Sequence, residues 1–377
     1  MNPTPVALDL FPELPAPEPV VKKRAVKATL NANSKTASQA ASKATSKASE
    51  APQPDTASHT TAHQSAVALA EAATDPEVWA RQLEVHPDYR LQRRLKPTLD
   101  WPQPAGEPSA AGCLNVLVLD TETTGLDAAK ERIIELAMLR VQVDRGTGLP
   151  VGAVQVYDEL EDPGKPIPKE VVALTGIQDS DVAGKQLDEA RIAQMLDGVD
   201  LVIAHNAGFD RPFVEARLPQ FAQLRWSCSF ADIDWKSQDR GSAKLESLAQ
   251  AMGWFYDAHR AEMDCHALLA VLVAPLPLAG VTGLAKLVQA AELPSFRLQA
   301  TNAPFDAKDK LKARGYRWNA DQRVWHTRLE DKAALQQELT WLKENAYNNR
   351  SAVVQVEQLD ALAKYSNRPG KTENRQL

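Results

Sequence analysis

The sequence predicts an α/β protein: a mixed sheet flanked by helices over residues 113–291, a small C-terminal α/β domain over 292–377, and a disordered N-terminal tail over 1–65. Three observations predict it. Short aliphatic runs, Leu117-Val118-Leu119 and Leu201-Val202-Ile203-Ala204, are bounded by turn residues and read as buried strands. Stretches with helical spacing alternate with them. The first 65 residues are rich in Ala, Ser, Thr, Lys and Pro, with almost no apolar bulk after Leu30, so they cannot bury a core.

Taken in order, residues 66–96 read as a helix packed on the domain that follows, with Trp79, Leu83 and Leu91 apolar and a basic end at Arg90, Arg93, Arg94 and Lys96. Residues 97–112, with several Pro and Gly, read as a linker. Arg132–Val143 is expected as a second strand and Gly152–Leu160 as a third, completing an antiparallel meander. Leu187–Leu196 is expected as a helix, Asp200–His205 as a strand and Phe213–Leu218 as a helix, with Pro212 in its first turn. Beyond Leu293, Ser295–Ala300 and Arg323–Leu329 read as strands. Asp306–Arg314 and Asp331–Tyr347 read as helices, and Ala352–Val356 as a last strand. A unit of this size lies near the lower limit for independent stability.

The chain has 377 residues and a formal net charge of −6, which is not that of a general nucleic-acid coat. The distribution says more. Residues 113–291 carry 16 basic and 26 acidic side chains, and residues 292–377 carry 15 and 11. The acidic part suits cations, and the basic end could supply attraction for a polyanion. Cys113, Cys228 and Cys265 have no paired or zinc-like spacing and read as reduced thiols of a cytoplasmic protein. The N-terminus has no charged region followed by an apolar core, so no signal peptide is expected. The apolar stretch Ala267–Val281 is interrupted by Pro275 and Pro277 and is too short to span a bilayer, so no membrane partner is expected.

Chemistry concentrates in three places. Asp120 and Glu122 end the first apolar run, and alternation along a strand points both the same way. Two like charges side by side gain nothing unless a cation bridges them, and oxygen ligands suit a hard ion such as Mg2+ or Mn2+. A solvated strand end is the bland alternative. Asp210 follows the strand and turn Asp200-Leu201-Val202-Ile203-Ala204-His205-Asn206-Ala207-Gly208, where it reads either as a helix N-cap or as a site residue. His259 precedes a helix that carries Asp264 in its first turns, where the helix dipole alone would favour an acid.

Asp-x-Glu, His-Asn-x-x-Phe-Asp and His-x-x-x-x-Asp, in that order, resemble the DEDDh family of 3′–5′ exonucleases, including the proofreading epsilon subunits of bacterial DNA polymerase III. Ile134-Glu135-Leu136-Ala137, Ile167-Pro168, Leu174-Thr175-Gly176-Ile177 and Lys244-Leu245 with Leu248-Ala249 extend the likeness over roughly residues 113–275, with no departure at the five expected catalytic positions. The resemblance implies a ribonuclease H-like sheet and metal-dependent hydrolysis of DNA from 3′ ends or single strands, in proofreading or repair. It implies two divalent ions, Mg2+ or Mn2+, held by Asp120, Glu122, Asp210 and Asp264, with His259 as general base. Thr123, Thr124 and Leu126 are then expected beside the terminal nucleotide. His205 and Asn206 either orient the strand–helix turn or touch substrate. A DNA polymerase is a further expected partner. An RNA exonuclease of the same superfamily is the alternative, because the metal constellation does not read the sugar. A non-catalytic polymerase or DNA adaptor is the reading from another class, and retention of all four carboxylates argues against it.

Two further segments stand apart. Lys310, Lys312, Arg314, Tyr316 and Trp318 interleave basic and aromatic residues, as in surfaces that grip phosphates and stack bases. The stretch resembles a small Gly-Tyr-Arg-Trp-Asn…Trp module appended to some bacterial nucleases and DNA-processing proteins. Alternatively Trp318 and Trp325 are core residues and the lysines a solvated helix face. Ala7-Leu8-Asp9-Leu10-Phe11 is similar to the bacterial sliding-clamp-binding peptide, departing from it at Ala7 where Gln is usual. Leu8, Leu10 and Phe11 would insert into the clamp's pocket with Asp9 between them.

Overall fold

Asp75 opens the first helix, α1 (Pro76–Glu84), by accepting a hydrogen bond from Glu77 N, with Pro76 in the first helical position. The computed structural model describes residues 75–103 and 112–377, so the tail reading and the peptide residues Leu8, Asp9, Leu10 and Phe11 lie outside the described residues. The expected helix through Lys96 stops at Glu84. Pro87 follows, and the chain instead forms a short strand, β1 (Arg93–Arg94), parallel to residues 254–255. Within the segment expected as linker, β2 (Asp100–Trp101) pairs with Gly152 and Ala153. A strand of two residues has no alternation to read in a sequence.

The main sheet is built on β3 (Cys113–Thr123), β4 (Ile133–Asp144) and β5 (Pro150–Leu160), an antiparallel meander. After α2 (Glu189–Leu196), β6 (Leu201–Ala204) pairs parallel to β3. Helix α3 (Ala207–Arg217) leads to β7 (Trp226–Cys228), parallel to β6. Strand order is β2-β5-β4-β3-β6-β7, a ribonuclease H-like mixed sheet. Its aliphatic strands are buried on both faces. Val116 and Val118 pack with Leu139, Ile203 and Leu268 of helix α4 (Ala261–Val273). Leu117 and Leu119 pack with Met138, Ile192 of α2, Phe213 of α3 and Trp226. Each such fully buried side chain contributes about 1.5–3 kcal/mol.

Helix α3 starts earlier than the sequence suggests. Asn206 takes a left-handed φ of 69° and turns the chain within one residue, so Ala207 and Gly208 are already helical. Asp210 therefore lies inside the helix and is not its N-cap, and Pro212 lies beyond the first turn. Among the described residues no helix is long and apolar enough to cross a membrane.

After helix α5 (Gly283–Glu292), a second sheet follows: β9 (Ser295–Ala300), β10 (Arg317–Asn319), β11 (Val324–Leu329), β12 (Val353–Leu359) and β13 (Lys371–Gln376). The strand between the two sheets, β8 (Trp254–Phe255), is the partner of β1. The order is β10-β11-β9-β12-β13, antiparallel throughout. Its core packs Phe296, Leu298, Val354 and Val356 against helices α6 (Lys308–Ala313) and α7 (Lys332–Trp341). β10 and β13 extend the three strands read in the sequence. They are largely exposed edge strands without a buried run.

The two sheets are joined by the turn at 360–368. Trp226 N, on edge strand β7, donates to Ala361 O at 2.9 Å. The buried Arg211 guanidinium donates to the carbonyls of Lys364 (2.6 Å), Leu362 (2.7 Å) and Ala361 (3.3 Å), and its Nε to Glu215 (2.6 Å). Lys364 Nζ donates to the carbonyls of Ala290 and Leu293. The described residues from 75 onward consequently form one compact unit.

Candidate active site

β3 carries the first two acids to the end of the sheet. Asp120 pairs opposite Ala137 and Glu122 opposite Glu135, with a bulge after Glu122. Helix α4 lies across β3 and β4 and brings Asp264 to the same place. One carboxylate oxygen from each of Asp120, Glu122 and Asp264 lies within 4.8 Å of the others. Asp210 enters from α3 and is buried. Its Oδ1 accepts from Thr121 N (3.1 Å) and Thr121 Oγ1 (2.9 Å). Thr121 is a site residue that the sequence reading missed, since a threonine between two acids carries no signal of its own.

Burial and mutual repulsion govern the electrostatics. Burial pushes Asp120 well above the usual carboxylate range, and the charges of Asp210, Asp264 and Glu122 push it further. Glu122 rises to about 8, from burial first and then from Asp264 and Glu135. Asp210 rises to about 7 by burial, with the Thr121 hydrogen bonds opposing. Asp264 is raised by burial and held back by a Tyr256 hydroxyl and the His259 N–H. Four repelling acids with oxygen-only donors fit a hard divalent cation, whose charge would remove the repulsion. Asp120, Glu122 and Asp264 could hold one ion, and Asp120 with Asp210 a second.

The surroundings fix Asp264. Tyr256, buried, donates its hydroxyl to Asp264 Oδ1 at 2.8 Å, and His259 N donates to Oδ2 at 2.8 Å. Tyr256 was not legible from spacing. His259 itself is exposed at the mouth with a left-handed φ of 64°, a conformation that costs energy for a non-glycine residue. Arg260 pairs with fully buried Glu135 at 2.7 Å, and Ala261 N donates to the same carboxylate, anchoring the start of α4. An acid there also suits the helix dipole.

Residues expected near the terminal nucleotide divide. Thr123 Oγ1 donates to Gly125 O, and Thr124 Oγ1 donates to Glu131 (2.6 Å), so both hydroxyls shape the turn. Leu126 is 87% exposed at its tip, free to touch a ligand. His205 Nδ1 bonds Ser229 Oγ at 2.7 Å, and burial lowers the imidazole to about 4, keeping it neutral. Both facts favour its orienting role, and Asn206 makes the turn described above. In the C-terminal sheet, Tyr316 is 3% exposed and stacks on Trp341, so it is core and cannot stack a base. Arg314 pairs with Glu338 and lies over Trp341, and Lys310 donates to Asn345 O. The alternation of the sequence could not reveal these partners, which lie 24 to 35 residues away.

Residues 117–272 match the RNase_T family, described as exonuclease. This stretch, similar to exonuclease domains, carries all four acids, Asp120, Glu122, Asp210 and Asp264. Among its relatives are the PolC-type DNA polymerase III of Listeria innocua, 36% identical over 102 residues, covering 26% of this chain and 6% of that protein, and of Thermotoga maritima, 25% identical over 193 residues, covering 50% and 14%. The chain thus spans a small part of these relatives' length. Of solved structures, exonuclease X in complex with 5′ overhanging duplex DNA is 26% identical with a TM-score of 0.36, covering 46% of this chain and 98% of that one. Exonuclease I is 17% identical with a TM-score of 0.37, covering 49% and 48%.

Proposed function

We propose that this chain is a metal-dependent 3′–5′ exonuclease that hydrolyses phosphodiester bonds at DNA 3′ ends, in proofreading or repair in the cytoplasm. The convergence of Asp120, Glu122 and Asp264, with Asp210 behind them, carries the reading. The kinship with polymerase III proteins supports DNA as substrate. Divalent ions, Mg2+ or Mn2+, would supply activation of water and neutralisation of the leaving 3′ oxygen. Asp120, Glu122 and Asp264 would hold one, and Asp120 with Asp210 the other. Tyr256 and the His259 N–H keep the Asp264 carboxylate in position. His259, at the mouth, takes the proton of the attacking water. Leu126 meets the terminal nucleotide.

The test is digestion of end-labelled DNA and RNA oligonucleotides with Mg2+, Mn2+ or EDTA. Mononucleotides should leave DNA 3′ ends only with metal. Asp120→Ala should abolish release, and His259→Ala should slow it roughly 10²–10⁴-fold while DNA binding persists. Wild-type turnover in either variant would mean that the roles are misassigned, and preferential digestion of RNA would move the substrate to the alternative class.

A further inference from the structure

The tip of the C-terminal sheet carries a surface that the catalytic site does not use. β10 is its edge strand, and Trp318 on β10 pairs across from Trp325 on β11. The two indoles lie 5.5 Å apart, tilted by 57°. Trp325 is partly buried against the core, while Trp318 is 50% exposed. A large aromatic ring held from behind by a second one, with its own surface in water, gains nothing for folding from that surface.

Cations lie on the same hairpin and on the helix before it. Arg317 precedes Trp318 on the edge strand and, across from His326, faces the other side of the sheet, and Arg323 lies in the turn that returns to β11, with a left-handed φ of 51°. Lys308 and Lys312 are exposed on α6. None of these four cations is in an ion pair among the described residues, unlike Arg314 and Arg328, which are held by Glu338 and Asp232. Over residues 305–328 the formal count is seven basic to three acidic side chains. The charge is therefore free for an external polyanion, and the ring for a planar group.

We propose that Trp318, with Arg317 and Arg323, forms a stacking platform for a single-stranded polynucleotide, with Lys308 and Lys312 as further phosphate contacts. Stacking on one exposed indole is tolerant of base identity, and unpaired arginines on the same edge hairpin can take the backbone of a strand that crosses the sheet edge. Duplex DNA fits poorly, because its bases already stack on one another. The platform deepens the nuclease reading and rests on it only for its purpose: it would hold the strand whose 3′ end is being hydrolysed.

The test uses the full chain. Single-stranded oligonucleotide binding is measured in EDTA as a function of salt, and cleavage of a dinucleotide, too short to reach a second site, is measured with Mg2+. Trp318→Ala should weaken oligonucleotide binding about tenfold, and Trp318→Phe should restore most of it. Replacing both Arg317 and Arg323 by Ser should lower the salt slope by about 1.4, at roughly 0.7 per phosphate released. Dinucleotide cleavage should be unchanged in all three. Unchanged affinity in Trp318→Ala, or a parallel fall in dinucleotide cleavage, overturns the platform. A wild-type chain that cleaves nothing would instead sink the nuclease reading, leaving the binding result to stand alone.

Discussion

At the residue scale, the acids of the site oppose the fold that holds them. Glu122 has an ordinary value of 4.5 and is raised to about 8 in the folded chain. Between those values the folded state holds the proton and the unfolded state has lost it. Asp210 behaves likewise between 3.8 and about 7. The contribution of these two acids to the stability of the metal-free protein should therefore be fully present below their ordinary values and be lost as pH rises toward 8. Thermal unfolding in EDTA should show a midpoint that drops through this window. Glu122→Gln should flatten the drop, and saturating Mg2+ should reverse it by binding only the folded state. A midpoint in EDTA that holds level or climbs from about pH 5 to 8 would mean that these carboxylates already have another compensating charge.

At the element scale, one turn clasps the C-terminal sheet to the first sheet. Arg211, one residue after Asp210 on α3, holds three carbonyls of the 360–368 turn and shares Glu215 with Arg368. Arg211→Met would leave the Lys364 carbonyl without its donor and remove one of two donors from Ala361 O, Leu362 O and Glu215, at a cost of about 1–3 kcal/mol. Urea unfolding should read that loss, and a variant as stable as wild type would mean that water replaces the guanidinium. What was legible in the sequence follows from range. β3 and β6 stand out because both faces are buried, which makes unbroken aliphatic runs. Asp120 and Glu122 stand out as acids at the end of a buried strand, whereas Asp210 and Asp264, on helices, stand out only through the ordered motifs they belong to. β1 and β2 are too short for a period, and Tyr256, Thr121 and the Arg211 contacts depend on partners distant in the chain or on backbone groups, which no local pattern encodes. The burial of Tyr316 belongs to the same class: its partner Trp341 is at the end of α7.

At the scale of the whole molecule, the two sheets share one unit, and the acidic nuclease sheet and the basic second sheet are presented together rather than on a tether. Their join also has a consequence in time. Ribosomes make chains from the N-terminus at roughly 5–20 residues per second, and Arg211 precedes its partner Lys364 by 153 residues. The arginine therefore waits on the order of ten seconds for the carbonyls that let it be buried. Until then the edge of β7 is open and Arg211 lacks the carbonyls of the turn, while Phe213 and Val214 already hold the helix on the first sheet. Nascent chains arrested before residue 360 should leave the Arg211–Trp226 region open to protease, and chains extended past residue 377 and clear of the exit tunnel should protect it; equal protection in both would show that the sheet closes without its last strap. A helix that carries a site acid therefore gains its clasp to the second sheet only after 153 further residues have been made.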